Sequence, residues 1–339
     1  MNSNKFDYKF YIISFLITGI VCLLVLFGLT KFSICITNSL NDKYMSNYIN
    51  GDSGFISPWY EDGLHIVDEL FIEELDKIQP TKNVFVIGSS VSSISIDKNL
   101  LTPANDYTYR FFVCGNGCYR SDIILDNLIR QNHEYTKDDI VKYELSFSTF
   151  RSTNKTITES VIDKWGAYKV NDDTLSVSKN TPILQPIYSV NKELITIQNS
   201  WELFDSWRQQ RKDPQPKAVG NFKNYYFNYD TIASLCYMDD NMKDAVEAQL
   251  LDLNDKTTLV VELAPTPKGL QDTDYGKQLN EYIDERLVPL LYENNISYID
   301  LRNQFEDSEF GDGIHLGYNA RIENSKIIND EINEIINNK

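Results

Sequence analysis

The chain has 339 residues, 42% of them hydrophobic and 12% aromatic, enough to fill a sizeable core, which excludes wholesale disorder. Its 32 basic and 49 acidic residues leave a formal charge of −17, which argues against nucleic acid as a partner and against electrostatic docking on anionic lipid. Three scattered histidines argue against a His-based zinc site, and no metal or organic cofactor is expected.

Residues Phe10 to Leu29 (FYIISFLITGIVCLLVLFGL) form a run of twenty without a charge, the length of helix that crosses roughly 30 Å of hydrocarbon. A cleaved signal peptide would carry a shorter apolar region, about 7–15 residues, ending in a small-x-small site. Here Thr30, Lys31, Phe32 and Ser33 follow instead. Residues 1–31 therefore read as a cytoplasmic tip and an uncleaved transmembrane signal anchor. Lys5 and Lys9 lie close before the run, and only Lys31 and then the more distant Lys43 follow it, so this bias puts the N-terminus in the cytoplasm and the rest of the chain outside. That exterior permits disulfides. Cys114, Cys118 and Cys236 could make at most one bridge, and buried thiols are the simpler expectation.

Residues 32–80 read as a stalk and a leading helix, the latter over Leu64 to Ile78, where apolar residues recur at helical spacing. From residue 81 the pattern changes. Asn83 to Ile87 (NVFVI), Tyr109 to Val113 (YRFFV), Asp139 to Phe147 (DIVKYELSF), Thr257 to Leu263 (TTLVVEL) and Ile296 to Leu301 (ISYIDL) are short apolar runs of the buried parallel-strand type. Helical spacing intervenes over Ser121 to Arg130, over Gly276 to Asn294 with a kink or break at Pro289, and over Arg321 to Ile336. The alternation predicts an α/β fold, three-layer α/β/α with a central parallel sheet, across residues 81–339. An insertion at about 151–250, partly helical and rich in Trp and Tyr, is expected over the strand ends, as packing or as a cap on a substrate groove. In such sheets the chemistry lies just beyond the carboxyl ends of the strands.

Three such places stand out. Gly88-Ser89-Ser90 follows the first strand, and alone it is an ordinary polar turn. Gly115-Asn116-Gly117 follows the second, where glycines either make a tight turn or let backbone N–H groups face an oxyanion. Asp312-Gly313-Ile314-His315-Leu316 precedes the last helix. A serine nucleophile needs a base near neutral pKa, and the base needs a carboxylate on its other nitrogen; Asp three residues before His supplies both from one loop. His65, in an amphipathic stretch, and His133, in a polar turn, suit structural roles better.

The order of these blocks resembles the SGNH (GDSL-like) hydrolase superfamily, across Asn83 to Ile336. The resemblance implies a flavodoxin-like α/β/α fold, with Ser90 as nucleophile, Gly117 from the second block, and Asp312 and His315 completing a triad. The Gly-Ser-Ser version, the single anchor and the insertion look most like the membrane-anchored branch, which includes the DltD-like proteins of teichoic-acid D-alanylation and the alginate O-acetyltransferase group. That branch implies a bacterial cell-envelope enzyme working beside a multi-pass membrane-bound O-acyltransferase. One block departs: Leu145-Ser146-Phe147-Ser148 stands where the family carries G-x-N-D, so Ser148 replaces an asparagine oxyanion donor, a loss worth roughly 2.7–4 kcal/mol in a transition state. The expected function is an extracytoplasmic serine O-acyltransferase or esterase acting on an envelope glycan or polyol. Ser90, Asp312 and His315 are its catalytic residues, and Ser90, Gly117 and Ser148 form its oxyanion hole. The alternative is a non-catalytic, membrane-anchored scaffold or glycan-binding module on a degenerate version of the same fold.

Overall fold

The computed structural model describes residues 8–49, 74–75, 77–114, 120–150, 168–171, 175–179, 194, 197, 229–310 and 314–339. The first element is α1, Tyr8–Ile49. Within it, Phe10–Ser33 is long and apolar enough to cross a membrane; its 24 residues span about 36 Å at 1.5 Å per residue. Two hydroxyls in this stretch bond back to the helix, Thr18 to the carbonyl of Ser14 and Thr30 to that of Leu26. This satisfies polar groups that hydrocarbon would leave without partners. The side chains from Phe10 to Leu29 are almost all exposed, as an apolar helix outside a protein core would be.

The α/β part is built on five parallel strands. In chain order β1 is Asn83–Ser89, β2 Thr108–Cys114 and β3 Ile140–Leu145; a hairpin of β4, Tyr168–Asn171, and β5, Ser176–Lys179, lies apart from the sheet; β6 is Thr258–Leu263 and β7 Ser297–Asp300. The sheet runs β2-β1-β3-β6-β7, and every pairing in it is parallel. The order reverses at β1, because the chain moves outward to β2 and then returns past β1 to β3. The gap beyond the carboxyl ends of β1 and β3 is where such sheets leave room for a site.

Strand alternation sorts the sheet's two faces. Phe85, Ile87, Phe112, Val141, Tyr143, Leu145, Leu259, Val261 and Leu263 join one buried cluster. Helix α3, Ser121–Arg130, packs there through Ile124, Leu125, Leu128 and Ile129. After the short α4, Tyr229–Ser234, helix α5, Asp240–Lys256, adds Val246, Leu250 and Leu253 to the same cluster. Residues 240–250 of the expected insertion thus form the body of a helix on the sheet. The hairpin joins this cluster too, through Tyr168, Val170, Leu175 and Val177, and Asn127 of α3 donates to the carbonyl of Leu175. Most of the remaining insertion, including Trp165, Trp201 and Trp207, lies outside the described residues, as does the expected helix over 64–78 apart from Glu74, Leu75, Lys77 and Ile78.

The helix expected over 276–294, with a kink or break at Pro289, is interrupted just before that proline. After the single turn α6, Lys268–Gln271, helix α7, Asp274–Tyr282, runs into a π-turn at Ile283–Leu287, and α8, Val288–Glu293, follows. Pro289 stands in the first turn of α8. A proline there lacks its N–H and crowds the carbonyl four residues back. The widened turn is the local answer, and such an insertion in a helix is a known source of irregularity.

Helix α9, Tyr318–Asn337, covers the other face. Ile328, Ile332 and Ile336 bury themselves with Val84, Val86, Phe111, Val113, Ile140, Val260 and Ile299. Ile322, expected on the same stripe, is half-buried. A row of polar side chains on α9 bonds to the segment after β1. Arg321 donates to the carbonyl of Ile96, Asn324 to that of Ser95, and Ser325 accepts from Asp97 N; Asn329 and Asn333 accept from Thr102 N and Ala104 N. Truncating the apolar stripe should loosen this clasp. Ile332→Ala is expected to cost about 2–5 kcal/mol, the range for buried Ile in a close-packed site. Guanidinium unfolding of the full chain in mild detergent, followed by circular dichroism, checks this through a lowered midpoint at constant slope.

Candidate active site

β1 runs directly into α2, Ser90–Ser95. The last strand residue, Ser89, is the N-cap of that helix, with extended backbone, and its Oγ accepts from Val91 N at 3.1 Å. The same hydroxyl donates to Glu144 Oε1 at 2.5 Å. Ser89 is therefore engaged as both donor and acceptor in holding the turn. Ser90, one residue on, has a different surrounding. Its Oγ lies 3.0 Å from Nε2 of His315, and both side chains are buried, at 8% and 7% exposure.

That contact joins positions 225 residues apart. It is made possible by the clasp of α9 on the segment after α2. His315 sits just before α9, and its neighbour Leu316 donates its backbone N–H to Ser95 Oγ, on α2 itself. Leu316 also pairs with Phe310 in an isolated antiparallel bridge, and Gly317 N donates to the carbonyl of Glu309. The histidine loop is thus pinned to the helix that carries Ser90 on one side and to the chain before it on the other. For Nε2 to accept from the serine hydroxyl, the ring proton must reside on Nδ1, a tautomer set by what Nδ1 faces. Asp312, expected in that role, and Gly117, expected in the oxyanion hole, both lie outside the described residues.

Ser148 stands at the carboxyl end of β3, in a 3-10 turn over Phe147–Phe150. It is buried, its Oγ is 2.8 Å from Ser146 Oγ, and its N–H donates to Ser146 Oγ at 3.3 Å. The two hydroxyls form a small polar pair beside the backbone carbonyl of Phe147, which accepts from Tyr275 Oη at 2.8 Å and from Cys236 Sγ at 3.5 Å. His133 takes the structural place expected of it: its Nε2 pairs with Asp139 Oδ2 at 2.8 Å and its ring packs 5.4 Å from that of Phe85. His65 lies outside the described residues. Among the described residues, no three His, Cys, Asp or Glu side chains converge as metal ligands would.

Three charged residues beneath the site escaped the reading of the sequence. Lys142 and Glu144 on β3 and Glu262 on β6 are 0%, 4% and 1% exposed, all on the face that α9 covers. Lys142 Nζ donates to Ser92 Oγ at 3.0 Å and contacts Glu262 Oε2. Burial pushes the Lys142 ammonium down to about 8, with the charge of Glu144 holding it up in part. The signal was present in the sequence: a Lys and two Glu inside runs otherwise apolar enough to be buried strands. Charges are almost never fully buried unless paired, so their spacing of two on one strand predicts partners on one face.

The geometry separates the two serines by experiment. Ser89→Ala removes a helix cap and is expected to cost about 0.5–2 kcal/mol of stability while a fluorophosphonate probe still labels Ser90. Ser90→Ala is expected to abolish labelling with the fold intact, because only a serine beside a base attacks such a probe. Labelling read by gel fluorescence and peptide mapping checks both. Compared with protein-family models and with curated protein sequences, the chain finds no match, so the site stands on its own geometry.

Proposed function

We propose that the protein is an extracytoplasmic serine O-acyltransferase or esterase acting on a cell-envelope or surface polysaccharide through an acyl-Ser90 intermediate. The observation that carries this reading is the buried contact of His315 Nε2 with Ser90 Oγ at 3.0 Å, at the carboxyl end of the first strand of a parallel sheet. It is the nucleophile-and-base pairing required for covalent acyl transfer.

In this reading Ser90 Oγ attacks the carbonyl carbon of an acyl donor as its proton passes to His315 Nε2. The tetrahedral intermediate collapses, the bond to the leaving group breaks, and His315 returns the proton to that group. A hydroxyl of the acceptor, or water, then attacks the acyl-Ser90 carbonyl. His315 takes the attacking proton and hands it to Ser90 Oγ as the ester bond breaks. Asp312 holds the imidazole, and the N–H groups of Ser90 and Gly117 receive the oxyanion with help from Ser148. A hydroxyl in place of an amide donor suits a slow transferase better than a fast hydrolase.

The same reading includes a three-layer α/β/α arrangement of the SGNH, flavodoxin-like type; helices with apolar clusters against both faces of the sheet support it. It includes insertion of residues 10–29 in the membrane as a single-pass anchor, with the N-terminus cytoplasmic and the catalytic part outside. The apolar helix, and Lys5 and Lys9 within five residues before it, support that orientation. A multi-pass O-acyltransferase delivering the acyl group at the membrane surface fits a site tethered there, and no nucleic acid or cofactor takes part.

The test is acylation of the full chain by an aryl acetate, with the modified peptide mapped by mass spectrometry. Acetyl on Ser90 is expected, and its loss should quicken when a polyol or glycan is added, with acetyl appearing on the acceptor. His315→Ala should slow acylation roughly 10²–10⁴-fold, the contribution of a positioned base. Acetyl on another residue, or an unchanged rate in His315→Ala, would refute the reading.

A further inference from the structure

The carboxylate of Glu144 reaches across from β3 into the turn that carries Ser90. Its Oε2 accepts from Ser89 N at 3.0 Å and from Ser92 N at 2.8 Å, and its Oε1 accepts from Ser89 Oγ at 2.5 Å. Two of these donors precede Ser90 and one follows it. The approach is close enough to dictate the residue before them. A Cβ on Gly88 would come within 2.6 Å of both Glu144 Oε2 and Ser92 Oγ, and 2.9 Å of Ser92 Cβ. The glycine of Gly88-Ser89-Ser90 is therefore the space the carboxylate occupies. Lys142, fixed between Ser92 and Glu262, holds a compensating charge on the same face.

We propose that Glu144 is a positioning residue for Ser90: by gripping the backbone on both sides of it, the carboxylate fixes the first turn of α2 so that Ser90 Oγ meets His315 Nε2. The proposal rests on Ser90 as nucleophile. A short turn leaving a strand has little of its own to fix it, since a six-residue helix is marginal without tertiary contacts. An acceptor with two oxygens satisfies three donors at once and leaves Ser90 in one place. A misplacement of about 1 Å at a reacting atom is enough to cost about 10²-fold in rate.

The experiment uses the full chain in detergent and a fluorophosphonate of varied concentration, so that the limiting rate of phosphonylation and the half-saturating concentration are read separately. Glu144→Gln keeps the shape but offers one acceptor oxygen, and turns an NH₂ toward groups that donate. It also leaves Lys142 and Glu262 as a neutral pair, which favours a folded variant. The limiting rate is expected to fall roughly 10- to 100-fold with half-saturation unchanged, because the reacting atom moves and the binding surface does not. Gly88→Ala displaces the same carboxylate without altering any charge, and the same loss of limiting rate is expected of it. A folded Glu144→Gln or Gly88→Ala protein with the wild-type limiting rate overturns the proposal, as does a change confined to half-saturation. Failure of the wild-type chain to label at Ser90 overturns instead the reading of Ser90 as nucleophile, and the proposal with it.

Discussion

Glu144 lies 4% exposed at the end of β3, and a carboxylate taken that far from water costs several kcal/mol unless its oxygens are filled. The donors that fill them are the amides of Ser89 and Ser92 and the hydroxyl of Ser89, together with the nearby charge of Lys142. Removing any of these leaves a buried charge less satisfied, so the charge disfavours any path for the β1–α2 turn other than the one seen. The constraint runs outward from there. Gly88 has no room for a side chain, Ser89 is held as a cap, and Ser90 is the first side chain with freedom to face another part of the molecule. Adjacent serines of equal chemistry are thus given unequal work by one carboxylate.

Much of this was legible in the sequence, and the reasons differ by element. Four of the five apolar runs were found because strands buried on both faces cannot hide their composition; β7, an edge strand exposed at Ser297, Tyr298 and Asp300, was found through Ile296, Ile299 and Leu301. Helix α3 was legible to the residue, as its four buried apolar residues fall on one face and its ends are polar. Ser90 and His315 were found as a pair because the chemistry restricts which types can stand together. The hairpin at Tyr168–Lys179 was not anticipated: its strands are four residues each, with Val170 and Val177 the only aliphatic residues in them, and what they bury is α3. Its stability comes from a partner 40 or so residues earlier, which no local pattern announces. The π-turn before Pro289 was legible only as a break. Sequence gives the proline's missing N–H; the way the chain accommodates it depends on Leu287 and Leu291 both being held in the core.

The charged triplet Lys142, Glu144 and Glu262 marks the other limit. Read singly, each looks like an exception inside a strand. Their meaning depends on the register between β3 and β6, where Glu144 stands opposite Glu262, and on the fold of α2 over Gly88. Two like charges opposite each other on neighbouring strands repel. Lys142, one pleat back on the same face, is what makes the arrangement tolerable. The sequence contains the three residues; only the pairing of strands makes them one object.

Register is also what α9 must supply. Ile328, Ile332 and Ile336 would bury comparable area if the helix slid along the sheet, since the hydrophobic effect is not directional. Hydrogen bonds are. Arg321, Ser325, Asn329 and Asn333 fall at intervals of four on one stripe, and each meets a specific backbone group between Ile96 and Ala104. A slip of one residue would shift the helix by about 1.5 Å and turn that stripe about a quarter-turn away, breaking all four bonds. The same slip would carry His315 away from Ser90 by a distance of similar size. The span of a useful hydrogen bond, about 2.7–3.2 Å, does not tolerate that. Buried Asn329 and Arg321 add less stability than leucines in their place would, yet they fix where the helix stops. The polar stripe of α9 and the carboxylate under α2 therefore act on the two ends of one contact: one sets the position of His315 along the sheet, the other the direction from which Ser90 meets it.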